Sequence, residues 1–221
     1  MNETQSLIRI FIADDHQLFR DGIRPLLDRE TCFEVVGEAK DGLSAVNMVR
    51  DLRPDVVIMD ISMPQLNGID ATWRIREIDP GIRVVVLSMH SDRQFVLEAL
   101  RAGAKAYLLK DSSYQELRKV ILEVAEGKIV LSPTVTDTVV NEYLQHSEHG
   151  ERSIYSILSG RERQVLQMIA EGKSTKGIAD ELNLSAKTIE SHRKQIMDKL
   201  DLHSIAELTK YAIREGLTKL D

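Results

Sequence analysis

Apolar and polar positions along this chain fall into two regimes. Up to about residue 125, short apolar runs alternate with stretches whose apolar residues recur every three to four positions. The runs are Ile8–Ala13, Phe33–Gly37, Val56–Met59, Arg83–Ser88 and Ala104–Lys110, each of strand length. Between and after them, residues 17–28, 42–52, 69–78, 93–102 and 114–125 carry helical spacing, as in Leu18, Phe19, Ile23, Leu26 and Leu27. Near-continuous apolar strands alternating with amphipathic helices predict a doubly wound parallel α/β domain, its sheet covered on both faces.

The pattern loosens from Glu126 to about Arg152, where Gly127, Pro133 and the polar run 145–152 mark a connector. Val135, Val139, Val140 and Leu144 allow a short amphipathic helix within it. His146 and His149, with only Glu148 near them, read as a solvated linker rather than a metal pair. Beyond it the spacing is helical throughout. Ser159 with Glu162 three residues on is a capping box, Ser174 and Ser185 head two further helices across the turn Asn183-Leu184, and a fourth runs from Ser204 to about Arg214. Two helices joined by a tight turn, the second longer and basic, form a helix-turn-helix.

Composition sharpens the division. The chain has 221 residues, 43% of them hydrophobic, enough for real cores. Residues 151–221 hold 12 Lys and Arg against 11 Asp and Glu, a net of +1, while residues 1–150 hold 17 against 24, a net of −7. An acidic half followed by a near-neutral one predicts two jobs. The single cysteine, Cys32, excludes an internal disulfide. No apolar run reaches the roughly 20 residues of a membrane helix, and residues 1–5 lack the pattern of a signal peptide. The expected location is the cytoplasm.

The strand ends carry the chemistry. The first delivers Asp14 and Asp15, the third Asp60, the fourth Ser88 and the fifth Lys110. In an open parallel sheet, sites form beyond the carboxyl ends of the strands. Three carboxylates gathered there need a compensating cation, and hard oxygen donors favour Mg²⁺. One carboxylate could then act as a nucleophile toward phosphorus, with Lys110 holding a phosphoryl oxygen or pairing with Asp60. His16 and His90 lie beside this pocket without a partner at metal-ligand spacing; they read as a helix-start residue and a loop residue at its border. No Ser or Cys triad is evident, and no Gly-x-Gly-x-x-Gly follows the first strand.

Asp14-Asp15, Asp60 followed by Met63-Pro64-x-x-Asn67-Gly68, Ser88, and Tyr107 ahead of Lys110-Asp111 resemble the receiver domain of bacterial response regulators, over about residues 6–126. The resemblance implies that Asp60 takes a phosphoryl group from a sensor histidine kinase. It implies Mg²⁺ held by Asp15, Asp60 and the Ser62 carbonyl, with Asp14 assisting through water. It also implies that Ser88 and Lys110 engage the new group and that Tyr107 turns inward, reshaping the face of the fourth helix and fifth strand.

On the third helix of the second half, Ile189, Ile196 and Leu200 share one face and Lys187, Glu190, Ser191 and Lys194 the opposite one. Such a mixture suits base edges and phosphates. Leu158-Ser159-x-Arg161-Glu162, Ile178-Ala179-x-x-Leu182 and Ser185-x-Lys187-Thr188-Ile189-Glu190-x-His192 are similar to the LuxR-type DNA-binding domain, over about residues 154–219. That likeness places Thr188 at phosphate and His192 at the helix flank near the DNA backbone. Gly177 departs from it, standing where a helix former such as Glu is expected, at a cost of about 1 kcal/mol against Ala.

The whole chain therefore resembles a response regulator of the NarL/FixJ type. The expected architecture is a five-stranded flavodoxin-like receiver (6–126), a linker (127–153) and a four-helix helix-turn-helix domain (154–219). The implied protein is no enzyme but a transcription factor, controlled by Mg²⁺-dependent phosphorylation and binding paired DNA half-sites as a homodimer. Two other readings start from the same residues: a magnesium-dependent phosphatase or phosphotransferase using Asp60, and a receiver acting as a phosphate-independent interaction module.

Overall fold

The computed structural model describes residues 7–132, 135–137 and 153–218, and these fall into two compact units. The first unit alternates strands and helices: β1 (Ile8–Ala13), α1 (Gln17–Leu27), β2 (Phe33–Ala39), α2 (Gly42–Leu52), β3 (Val56–Met59), α3 (Gly68–Ile78), β4 (Arg83–Ser88), α4 (Arg93–Ala102), β5 (Ala106–Leu109) and α5 (Tyr114–Ala125). The strands are parallel and ordered β2-β1-β3-β4-β5, and a sixth, β6 (Val130–Leu131), pairs with β5 at the edge. This sixth strand is an addition to the expected five. Two residues carry no readable periodicity, and only the neighbouring main chain of Ala106 and Tyr107 makes them a strand.

β3, the central run Val56–Met59, is buried at all four positions because helices cover both faces of the sheet. Ile10, Ile12, Val56, Ile58, Val85, Leu87, Ala106 and Leu108 form one core with Leu117, Val120, Ile121 and Val124 of α5. α1 packs beside α5, while α2, α3 and α4 follow one another in contact. From β1 the chain moves to β2 on one side and then to β3 on the other. That reversal leaves a crevice at the carboxyl ends of β1 and β3, where neither crossover covers the sheet edge.

Of the expected connector helix only residues 135–137 are described, and they are helical; the rest, with His146 and His149, lies outside the described residues. The second unit is helical: α6 (Ile154–Ile157), α7 (Gly160–Ala170), α8 (Thr175–Leu182), α9 (Ala186–Leu200) and α10 (Ile205–Arg214). The single turn α6 is additional to the expected four helices, too short to show a repeat and held by the Ser153 cap. Ser159, Ser174, Ser185 and Ser204 each cap a helix, and Ser159 and Ser204 complete reciprocal boxes with Glu162 and Glu207. Each cap is worth about 1 kcal/mol, so the boundaries read from serine spacing are also where the main-chain donors are satisfied. The core gathers Val165, Leu166, Ile169, Ile178, Leu182, Ile189, Ile196, Leu208 and Ala212, with Leu200 partly buried against it. No helix among the described residues is long and apolar enough to cross a membrane.

Candidate functional site

The crevice at the end of β1 and β3 holds the predicted acidic group. Asp14 and Asp60 are buried, at 2% and 3% exposure, and Asp15 is partly exposed. Lys110, delivered by the end of β5, places Nζ 2.7 Å from Asp14 Oδ2 and 3.0 Å from Asp60 Oδ2. The same ammonium lies 5.0 Å from the centre of the Phe19 ring, which covers it from α1. Lys110 is thus shared between two of the three carboxylates. Burial raises the Asp60 pKa above the ordinary carboxylate range; Lys110 pulls it down, and Asp14 and Asp15 push it up again. Asp60 Oδ1 accepts the Ile61 N–H at 2.8 Å, whereas the buried Oδ2 has its ion pair with Lys110 but no aligned hydrogen bond. Excess negative charge and a buried oxygen with an open lone pair suit this group to a divalent cation.

The loop after β3 is held close by Gly68, whose N–H donates to Ile61 O at 2.8 Å. A Cβ at Gly68 would lie 1.9 Å from the Asp60 carbonyl oxygen, so only glycine lets the chain pass there. Ser88, fully buried at the end of β4, accepts the His90 N–H through Oγ at 3.1 Å. Tyr107 is buried, and its hydroxyl donates to the His90 carbonyl at 2.7 Å. Burial pushes its phenol pKa up. The ring expected to turn inward on phosphorylation is therefore inside already, tied to the loop after β4. His90 stacks on Phe95 and its Nε2 is 2.8 Å from Ser62 Oγ, so it bridges the two loops bordering Asp60.

Two residues of the site escape a reading of the sequence. His16 caps α1 as expected, but its ring joins the acidic group, with Nδ1 2.8 Å from Asp15 Oδ1 and 3.2 Å from Asp14 Oδ1. The absence of a second histidine at ligand spacing hid this, because the partners are its own two predecessors folded back on it. Arg20 donates to the Asp14 carbonyl at 2.6 Å and contacts Glu38 at the end of β2, 3.4 Å away. It ties the acidic loop to the neighbouring strand, and its position one helical turn after His16 was the available signal. The four groups Asp14, Asp15, His16 and Asp60 offer ligand atoms all within 4.8 Å of one another.

In the second unit, the buried residues Ile189 and Ile196 fix the rotation of α9. Lys187, Glu190, Ser191 and Lys194 are then exposed, and Thr188 and His192 half-buried at the flank. Thr188 Oγ1 lies 2.7 Å from Ser185 Oγ, at the helix start. His192 turns Nδ1 into a buried position that no described group meets. Asn183, left-handed with φ 53°, makes the sharp turn between α8 and α9. Gly177 sits in the first turn of α8, donating to Ser174 Oγ at 3.1 Å, so its helix is capped despite the missing side chain.

Residues 10–122 match the response regulator receiver domain, and residues 156–212 the bacterial regulatory proteins of the luxR family. The chain is similar to the transcriptional regulatory protein DegU of Brevibacillus brevis, at 36% identity over all of both chains. It is also similar to the oxygen regulatory protein NreC of Staphylococcus haemolyticus, at 38% identity over 95% of this chain and 99% of that one. Among solved structures it resembles the response regulator RcsB of Salmonella typhimurium (29% identity, 93% of this chain and 98% of that, TM-score 0.57). An RcsB–DNA complex matches with TM-score 0.58 at 29% identity over the same shares of the two chains. The receiver family uses Mg²⁺ at an acidic pocket and implies a histidine kinase partner, and its members of this kind regulate transcription rather than catalyse a metabolic reaction. The chain belongs to the two-component response regulators of the NarL/FixJ type, a receiver domain followed by a LuxR-type DNA-binding domain.

Proposed function

We propose that Asp60 is the phosphoacceptor of a cytoplasmic transcription factor and that its modification controls DNA binding by α9. The observation that carries this reading is the clustering of Asp14, Asp15 and Asp60 at the strand ends, with Lys110 paired to Asp14 and Asp60 at once. An Asp60 carboxylate oxygen attacks phosphorus of the kinase's phosphohistidine; the P–N bond breaks and the imidazole leaves with its electron pair. Asp15, Asp60 and the Ser62 carbonyl are the residues that would hold Mg²⁺, with Asp14 assisting through water. When bound, the ion neutralises charge on the transferring group. Lys110 supplies the fixed positive charge for a phosphoryl oxygen, and the Ser88 hydroxyl is the hydrogen-bond donor at the end of the next strand.

The phosphoryl group adds roughly one to two negative charges where one ammonium already serves two carboxylates. Lys110 and Ser88 are drawn to it. Because Ser88 also accepts from His90, and His90 holds Tyr107, the pull passes to the loop before α4 and to the face of β5. Two copies then pair on DNA, each presenting Lys187, Thr188, Glu190, Ser191, His192 and Lys194 to one half-site; a small reader with few base contacts gains useful affinity from the second copy. The test is recovery of genomic fragments by the whole chain at one fixed salt, with and without beryllofluoride and Mg²⁺. Enrichment of a two-fold-symmetric site only in the activated sample supports the reading. Equal recovery in both samples removes the gating, and recovery in neither removes the transcription factor.

A further inference from the structure

We propose that Glu190 decides which sequence the chain binds, by requiring in each half-site a cytosine whose exocyclic amino group donates to the carboxylate in the major groove. The inference rests on the reading of α9 as the helix that enters the groove and concerns what it reads there. Ser185 Oγ caps α9 by accepting the Thr188 N–H at 3.0 Å, and Ile189, 2% exposed, sets the rotation of the residue after it. Glu190 therefore stands exposed near the start of a 15-residue helix, the part of a recognition helix that meets base edges. Its carboxylate has no partner among the described residues, and in this it differs from the other described glutamates of the second unit. Glu162 is held by Lys199 and Ser159, Glu181 by Lys173 at 2.6 Å, and Glu207 by the N–H groups of His203 and Ser204 at 2.7 and 3.0 Å. Lys187 and Lys194 stand three residues before Glu190 and four after it, spacings at which helical ion pairs form, yet neither closes on it.

The exposed groups of this face are not equivalent toward DNA. Lys187 and Lys194 are donors that any phosphate satisfies, and the Ser191 hydroxyl donates or accepts. The carboxylate accepts without donating, and phosphates repel it. An amino group of a base is what satisfies it in the groove. Cytosine presents N4–H₂ there. Adenine presents N6–H₂ but sets its N7 acceptor beside it, against the second carboxylate oxygen, while guanine and thymine offer acceptors. A wrong base leaves the carboxylate desolvated with no donor, which costs more than a good contact contributes. Glu190 thus acts chiefly by rejecting other bases, while the lysines supply affinity common to all sequences.

The test selects duplexes from a randomised pool with the whole chain, in beryllofluoride and Mg²⁺ at one fixed salt, for wild type, Glu190→Gln and Glu190→Ala. Both replacements are good helix formers at an exposed position, and thermal unfolding checks that the second unit stays folded. Fluorescence anisotropy then gives affinities for the selected site and its single-base variants. The wild type is expected to take cytosine at one position of each half-site and to bind the other bases there on the order of tenfold more weakly. Glu190→Gln moves that preference to adenine, whose N6 and N7 an amide meets together, and Glu190→Ala binds all four bases there alike. Preferences at the other positions stay as they are. The same site with the same preferences in all three proteins overturns the inference, as does a change at a position where the wild type takes a base other than cytosine. An equal gain for every duplex in both variants reduces Glu190 to a repelling surface charge, and loss of every duplex makes it a general affinity group; either overturns it. A wild type that retains no duplex overturns the DNA-binding reading and this inference with it.

Discussion

Two buried carboxylates, one in each unit, are each met by one lysine and behave oppositely. Burial raises the Asp60 pKa, and Lys110 does not bring it back, because Asp14 and Asp15 push it up. Burial also acts to raise Glu162, yet its pKa ends below the ordinary range, because Lys199 and both the hydroxyl and main chain of Ser159 bond to it. Lys199 Nζ is 2.7 Å from Glu162 Oε2, and the Ser159 N–H and hydroxyl reach the same oxygen at 2.8 and 2.9 Å. Every close partner of Glu162 is a donor. Asp60 has one main-chain donor and half a lysine. A carboxylate saturated with donors serves the fold, and one left among its own sign is suited to the phosphoacceptor role proposed for Asp60.

The largest expected effect removes the charge from the second kind. Asp60→Asn should abolish phosphorylation by acetyl phosphate, read as a phosphate-dependent gel shift, and a persisting shift would place the acceptor elsewhere. Next comes the backbone beside it. Gly68→Ala puts a methyl 1.9 Å from the Asp60 carbonyl and should cost about 3 kcal/mol or more in denaturant unfolding. A variant as stable as the wild type would show that the loop relaxes freely.

Glu162→Gln should cost the second unit about 1–2 kcal/mol. The sign with pH follows from its lowered pKa: the wild-type contribution is complete above the unfolded value of about 4.3 and fades as pH falls through the folded value. The gap between wild type and variant should therefore close in acid, and a constant gap would refute the ionic part. For Asp60 the sign is reversed. A raised pKa costs nothing below the ordinary carboxylate range and its full penalty above the folded value, so Asp60→Asn should raise the melting temperature at neutral pH by a few degrees, as about 1 kcal/mol would. A fall would show that the charge is compensated. The smallest effect contrasts the glycines. A Cβ added at Gly177 would meet only Ser174 Oγ, at 3.4 Å, so Gly177→Ala should stabilise the second unit by about 0.5–1 kcal/mol in thermal unfolding.

The sequence by itself determined the alternation of strands and helices, the serine caps and the set of charged residues at the strand ends. These are local properties: side-chain period follows from backbone geometry, and a cap needs only three or four consecutive residues. Thus Ile8–Ala13, Arg83–Ser88 and Tyr114–Ala125 stand where the pattern puts them. The order β2-β1-β3-β4-β5 with β6 at its edge, the sharing of Lys110 between Asp14 and Asp60, and the inward Tyr107 were decided only by tertiary structure. So was the ring of His16 among the carboxylates. Each depends on groups brought together from different strands or turned back on their neighbours, and the free energy of such contacts is set by burial and distance, which residue order alone does not encode.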